Sequence, residues 1–293
     1  MPMKERAMQL YPPDDPYLIS TQIFGNPFAI RWYGVLIMSG VLIAGTVAAS
    51  RARRRGLDPE HVWNIVMLGL LLGIAGARAY YVAFEWPRFA GQSWWYIINP
   101  ATGGLAIHGA LIGAFGAVAL YSARHRLDPR VWLDIMLPTV LIGQAIGRWG
   151  NFFNQEAYGR PSDLGFGLVI DAVHRVDPFR DMAAYPRDTT LFHPTFLYES
   201  LWNLAGFGLI IALERRFADR LRPGDAACAY AIVYGTGRLW IEGLRTDSLC
   251  TDGIGGECAA ALRVAQIASI VLVLIGIAGL SWNHRPTATA AQA

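Results

Sequence analysis

Seven apolar runs of about 20 residues each dominate the chain, and nothing else in it limits the fold so severely. A run of that length crosses the hydrocarbon core of a bilayer, where every backbone N–H and C=O must find its partner inside the same segment. An α-helix meets that demand, so the sequence predicts an all-α polytopic membrane protein, a bundle of seven transmembrane helices. Hydrophobic residues make up 54% of the chain and charged residues only 16%, which argues against a water-soluble globular fold.

The expected spans run from about Ile30 to Ser50, His61 to Phe84, Gly104 to Tyr121 and Val131 to Ile146, then from His193 to just before Glu214, Ala226 to Glu242 and Val264 to Trp282. Gly69, Gly73 and Gly76 in the second span and Gly109, Gly113 and Gly116 in the third permit close helix approach. Residues 1–27 are largely polar and proline-bearing and are expected to form an external N-terminal arm without a cleavable signal. Residues 151–191, with Pro161, Pro178 and Pro186, are expected to form an external loop or small head element between helices 4 and 5. On this reading 1–293 is a single integral membrane domain.

Orientation follows from arginine. Arg51, Arg53, Arg54, Arg55, Arg124, Arg126, Arg130, Arg215, Arg216, Arg220, Arg222 and Arg285 lie at one set of helix ends, whereas the short loop between the second and third spans holds Arg88. The positive-inside rule then puts the N-terminus outside and the C-terminus in the cytoplasm. These basic stretches are short and join apolar helices, so they speak for orientation and against nucleic acid as a partner. Of the three cysteines, Cys228 falls in an apolar helix, while Cys250 and Cys258 flank a Gly-rich loop. The latter two either pair, if the loop faces an oxidising compartment, or stay free; spacing alone does not decide.

The unusual polar residues gather at the outer ends of the helices. Arg31 and Tyr33 begin the first, Arg78 and Tyr81 end the second, and His108 lies just inside the third. Arg148, Asn151, Asn154 and Glu156 leave the fourth, and His193, Tyr198 and Glu199 enter the fifth. Tyr234, Arg238, Glu242 and Arg245 recur at intervals of four, four and three, which puts them on one face of the sixth. An unpaired charge within a membrane costs a few kcal/mol or more, so such arginines face a polar interior. One outward-facing cavity follows, with Arg148 and Arg238 as fixed charges able to fork hydrogen bonds onto phosphate oxygens.

Blander roles stand beside these. Arg148 either serves that cavity or snorkels to the interface. His108 is either a base or a packing residue among glycines, and Glu242 either takes part in chemistry or only neutralises Arg238 four residues earlier. Tyr33 is a site residue or an interfacial anchor, Tyr234 a site residue or a core aromatic, and Asn151 and Asn154 site amides or loop caps.

The run Gly147-Arg148-Trp149-Gly150-Asn151-Phe152-Phe153-Asn154-Gln155-Glu156-Ala157-Tyr158-Gly159 matches without a gap the signature Gly-Arg-x-Gly-Asn-Phe-x-Asn-x-Glu-x-x-Gly. With Trp32-Tyr33-Gly34, the block from Gly76 to Tyr81, Gly103 to Gly109, His193 to Glu199 and Tyr234 to Asp247, the chain closely resembles the bacterial phosphatidylglycerol:prolipoprotein diacylglyceryl transferase family. Ala77, Ala110 and Phe196 depart from that family's pattern without removing a charge. The resemblance implies transfer of a diacylglyceryl group from phosphatidylglycerol to the lipobox cysteine thiol in a prolipoprotein signal peptide, leaving a thioether and glycerol 1-phosphate. It implies residence in the bacterial cytoplasmic (inner) membrane, an active site on the outer side, and no metal or other cofactor.

Under the resemblance, Arg148 and Arg238 meet the phosphate, His108 serves as base, and Tyr33 and Glu242 complete the catalytic set. Asn151, Asn154, Glu156, Gly159, Tyr234, Arg78, Tyr81 and Arg245 join the two arginines in binding substrate. A small-anion or lipid transporter with an Arg-lined cavity is the alternative. It predicts polar residues continuing through the membrane, whereas the cytoplasmic halves of these helices are apolar.

Overall fold

The computed structural model describes residues 8–250, 253–254 and 263–286. Its helices are α1 (Trp32–Arg54), α2 (Glu60–Phe84), α3 (Trp86–Phe89), α4 (Trp94–Ile98), α5 (Ile107–His125), α6 (Pro129–Phe153), α7 (Thr195–Arg216), α8 (Asp225–Leu244) and α9 (Val264–Asn283). The strands are β1 (Met8–Leu10), β2 (Tyr17–Ile23), β3 (Asn26–Arg31), β4 (Phe166–Leu168), β5 (Leu249–Cys250) and β6 (Gly253–Ile254).

Among the described residues α1, α2, α5, α7 and α9 are long and apolar enough to cross a membrane. Leu71, Ile112 and Leu274 stand well exposed on three of them, an apolar surface suited to lipid. The chain is thus mostly helical, with the character of a multi-pass membrane protein. Helices α6 and α8 fall where the fourth and sixth spans were expected, but they carry Arg148 and Asn151, and Arg238 and Glu242.

The all-α expectation needs correcting. Strand β1 pairs in parallel with β4, Met8 opposite Phe166, so part of the N-terminal arm is built into the segment expected to be a separate external element. Strands β2 and β3 form an antiparallel hairpin that turns at Phe24 and Gly25, both at positive φ. Ile19, Thr21 and Ile23 share one strand face and suit a pleated surface. Because Asn26–Arg31 is strand, α1 begins at Trp32 rather than Ile30. Likewise Gly103 and Gly104 both sit at positive φ, and α5 starts only at Ile107.

Two compact units make up the chain: one runs to Ala44 and resumes at Leu137, the other is Gly45–Met136. In the second unit, α2 and α5 touch backbone to backbone. A Cβ on Gly76 would overlap the Gly109 carbonyl, and one on Gly113 would overlap that of Leu72. Ala48, Ala52, Val62, Ile65, Trp132 and Ile135 form its core.

In the first unit, α8 packs on α9 where Gly235 meets Ser269 and Val273, and Gly276 meets the Cys228 carbonyl. Asp225 locks their ends by accepting from Asn283 Nδ2 at 2.9 Å, with His284 Nε2 2.7 Å away. The segment after α6 packs around Tyr158, Leu168, Ile170, Phe179, Phe192 and Phe196. Arg175 is fully buried there, donating to the carbonyls of Ile170 at 2.9 Å and Tyr185 at 2.6 Å and lying over the Phe192 ring. Cys250 is disulfide-bonded; Cys258, its possible partner by sequence, lies outside the described residues. Cys228 is free.

Candidate active site

Helix α6 runs past the expected end of the fourth span at Ile146 and ends inside the signature motif at Phe153, so Arg148 and Asn151 project from its last turns. The motif glycines explain how α6 reaches this position. Gly143, Gly147 and Gly150 form a stripe against Gly40, Ile37 and Tyr33 of α1, and a Cβ on Gly150 would overlap the Tyr33 ring. Tyr33 is thereby held beside the turn that carries both Arg148 and Asn151.

From Arg148 a chain of alternating charge runs through three helices. Arg148 Nη1 donates to Asn151 Oδ1 at 3.3 Å, and Asn151 Nδ2 and Asn154 Nδ2 both donate to Glu156 Oε1, at 2.9 and 3.2 Å. Arg148 Nη2 stands 2.6 Å from Glu199 Oε1 of α7. The other carboxylate oxygen of Glu199 accepts from Arg238 Nη1 of α8 at 3.4 Å, and Arg238 Nη2 lies 2.5 Å from Glu242 Oε2. Glu199 and Glu242 are buried, at 3% and 2% exposure, while the arginine side chains keep 22% and 16%.

The tightest of these approaches, Arg148 to Glu199 Oε1 and Arg238 to Glu242 Oε2, are ion pairs without hydrogen-bond alignment. Two buried carboxylates thus balance two guanidinium charges. Each guanidinium has five N–H donors, so capacity remains for the oxygens of an added anion.

The motif's end is a crossing point. Gly159 N–H donates to the His193 carbonyl at 2.9 Å, and the next residue donates to the Leu244 carbonyl at 2.8 Å. A Cβ on Gly159 would overlap that of His193, so no larger residue fits. Arg245, opposite Gly159 across this bridge, grips Asp247 with Nε at 2.9 Å and Nη2 at 2.7 Å. Burial raises the Asp247 carboxyl, but the Arg245 hydrogen bonds and charge outweigh it and hold it below the usual carboxylate range. His193, with Nδ1 3.1 Å from the Tyr198 hydroxyl, is pushed below the ordinary histidine value by burial.

Of the residues expected at the site, Tyr33, Arg148, Asn151, Asn154, Glu156, Gly159, Tyr234, Arg238, Glu242 and Arg245 all belong to the first unit. Arg78, Tyr81 and His108 belong to the second. There Arg78 is buried and spends its donors on the carbonyls of Tyr96, Ile97, Gly103 and Gly104 and on Thr102 Oγ1, fastening the loop before α5. Tyr81 accepts from Arg88 Nη1 at 2.9 Å, and its ring covers Gly104. His108 is exposed on the first turn of α5, its ring 5.7 Å from that of Tyr80. Glu199, the residue that joins the two arginines, was not singled out from the sequence as a site residue. Its signal was there, an acid entering an apolar helix on the same side as both arginines.

A family model described as prolipoprotein diacylglyceryl transferase matches residues 19–282, which takes in every group of the cluster. The chain belongs to this family. It is 56% identical over 285 residues to a Chloroflexus aggregans protein, covering 95% of this chain and 93% of that one. A Synechocystis relative is 45% identical over 260 residues (88% and 86% covered), and one from Gloeobacter violaceus 44% over 262 (89% and 91%). All three relatives are named phosphatidylglycerol–prolipoprotein diacylglyceryl transferase.

Proposed function

We propose that the chain transfers the diacylglyceryl group of phosphatidylglycerol to the lipobox cysteine thiol of a prolipoprotein. Family membership supports the reaction. The observation that carries the residue assignment is the joining of Arg148 and Arg238 through Glu199. Two guanidinium groups fixed in this way suit a phosphodiester. As the thiolate sulfur forms its bond to the glycerol carbon, the bond from that carbon to the phosphate oxygen breaks and its electron pair leaves with glycerol 1-phosphate. The negative charge that grows on the phosphate is stabilised by guanidinium donors already in place.

Asn151, Glu156 and Glu242 orient the arginines, while Tyr33, Tyr234, Asn154, Gly159 and Arg245 shape the substrate side. The thiol, with an ordinary pKa of about 8.5, must lose its proton, and His108 is the proposed acceptor. Arg78 and Tyr81 are proposed to bind substrate. In this reading all seven long helices span the bacterial cytoplasmic membrane as one integral domain. The arginine distribution puts the N-terminus outside and the reaction on the outer side.

The test is to incubate detergent-purified protein with phosphatidylglycerol and a lipobox peptide. The expected result is a diacylglyceryl mass gain on the cysteine. No gain from folded protein, or a gain that survives Arg148→Ala and Arg238→Ala together, overturns the reading.

A further inference from the structure

One turn below the arginine cluster, toward the middle of the helices, lies a second polar layer that the phosphate chemistry does not use. Stepping back four residues from Arg148 on α6 reaches Gln144, and from Arg238 on α8, Tyr234. Stepping four forward from Glu199 on α7 reaches Asn203. Residues four apart share a helix face, and four residues advance about 6 Å along the axis. The same α7 face, at Gly206, abuts Leu141 of α6 and Val233 of α8, so it looks between those helices.

Asn203 is 1% exposed, and neither its Nδ2 nor its Oδ1 has a hydrogen-bond partner among the described residues. Gln144 Nε2 lies 3.2 Å from the Tyr230 hydroxyl, and its Oε1 is buried without a partner. Turning that amide end for end keeps the Tyr230 contact, with the hydroxyl now donating, and frees Nε2 as a donor. A buried amide atom with nothing to bond costs roughly 1–3 kcal/mol, so the unpartnered Asn203 Nδ2, Asn203 Oδ1 and Gln144 Oε1 in one layer of an otherwise apolar bundle call for a ligand group. Gln144 and Tyr234 are only half-buried, which leaves the layer reachable.

We infer that Asn203 and Gln144 bind the two ester carbonyls of the diacylglyceryl donor while Arg148 and Arg238 hold its phosphate. This rests on the proposed reaction and adds to it a basis for donor selection. In a glycerophospholipid the ester carbonyls lie a few bonds below the phosphorus, toward the acyl chains, which matches one helical turn. An ester carbonyl only accepts, and each carboxamide offers an N–H. An ether-linked lipid of the same head group and chain length lacks those acceptors and leaves both amides unpaired, so the layer selects ester over ether.

The experiment compares diester and diether phosphatidylglycerol as donors to a lipobox peptide, reading KM and kcat for wild type, Asn203→Leu and Gln144→Met. Wild type is expected to show a KM several-fold to about tenfold lower for the diester, the scale of a buried hydrogen bond. Asn203→Leu brings that ratio close to one by raising the diester KM, and Gln144→Met moves it the same way. Equal KM values in wild type, or variants that raise both alike, overturn the inference and leave the amides as structural or water-binding groups. Should Asn203→Leu not fold, the wild-type ratio and Gln144→Met decide. Wild type that transfers from neither donor refutes the reaction itself, which is a distinct result.

Discussion

Glu199 Oε1 stands 2.6 Å from Arg148 Nη2, and these two side chains, from α7 and α6, connect the signature motif to the rest of the charge chain. Through its second oxygen Glu199 also reaches Arg238. Removing one member of a buried ion pair costs roughly 3–5 kcal/mol, so Glu199→Ala is expected to lower the thermal midpoint markedly. Glu199→Gln keeps the shape and makes the cluster net positive. Its KM for phosphatidylglycerol should stay level or fall, while kcat drops about 10²-fold because the guanidinium planes lose their alignment. A KM that rises in step with the loss of kcat would mean that Glu199 contacts the donor directly.

Lysine should not replace either arginine. Arg148 addresses Asn151 with one terminal nitrogen and Glu199 with the other, and Arg238 does the same for Glu199 and Glu242. A single ammonium keeps the charge and forfeits the fork. Arg148→Lys and Arg238→Lys are each expected to cut kcat/KM by about 10²-fold or more with the thermal midpoint little changed. The check is peptide mass gain beside an unfolding curve; near-normal turnover in either variant refutes the need for bidentate geometry.

Much of this arrangement is legible in the sequence, because helix spacing alone puts Tyr234, Arg238 and Glu242 on one face and the apolar runs locate the long helices within a few residues, apart from the C-terminal end of α6. What spacing does not reveal is which acid bridges two helices. The role of Glu199 depends on α7 packing against α8, where Trp202 Nε1 donates to the Val233 carbonyl and Gly237 makes room for the indole. Strands β1 and β4 escaped for a similar reason. Each is only three residues long, and their partners are 158 positions apart in the register Met8 to Phe166, too short and too distant for a local pattern. Arg78 and Arg175 show a further gap, since an arginine that organises loop carbonyls looks in sequence like one that binds substrate.

His108 is proposed as the base, and the pH dependence of turnover gives that proposal a clear signature. A thiol near its ordinary pKa of about 8.5 is mostly protonated at neutral pH, so loss of a base should matter most there. His108→Gln is expected to lower kcat by about 10²-fold near pH 7 and to recover as the medium itself ionises the thiol. Turnover that stays near normal from about pH 6 to about pH 9 would exclude His108 from proton transfer.

The segment between α6 and α7 should carry its own acid sensitivity, through Asp171. Gln155, buried within the signature motif, donates Nε2 to Asp171 Oδ2 at 2.7 Å and accepts from the Asp171 N–H at 2.9 Å, while Arg187 Nη2 lies 2.6 Å from Oδ1. Burial raises the carboxyl, but the bonds from Gln155 and Arg187 outweigh it and leave the group below the ordinary aspartate value. A carboxyl depressed in the folded state contributes stability that is fully present above the unfolded pKa of about 3.9, and that is lost as pH falls through the folded pKa. Residues 155–192 should therefore hold their amide-exchange protection at neutral pH and lose part of it below about pH 4. Asp171→Asn removes the charge at every pH, so it should weaken that protection at neutral pH and flatten its acid dependence. Equal acid sensitivity in Asp171→Asn and wild type would assign the effect to another group.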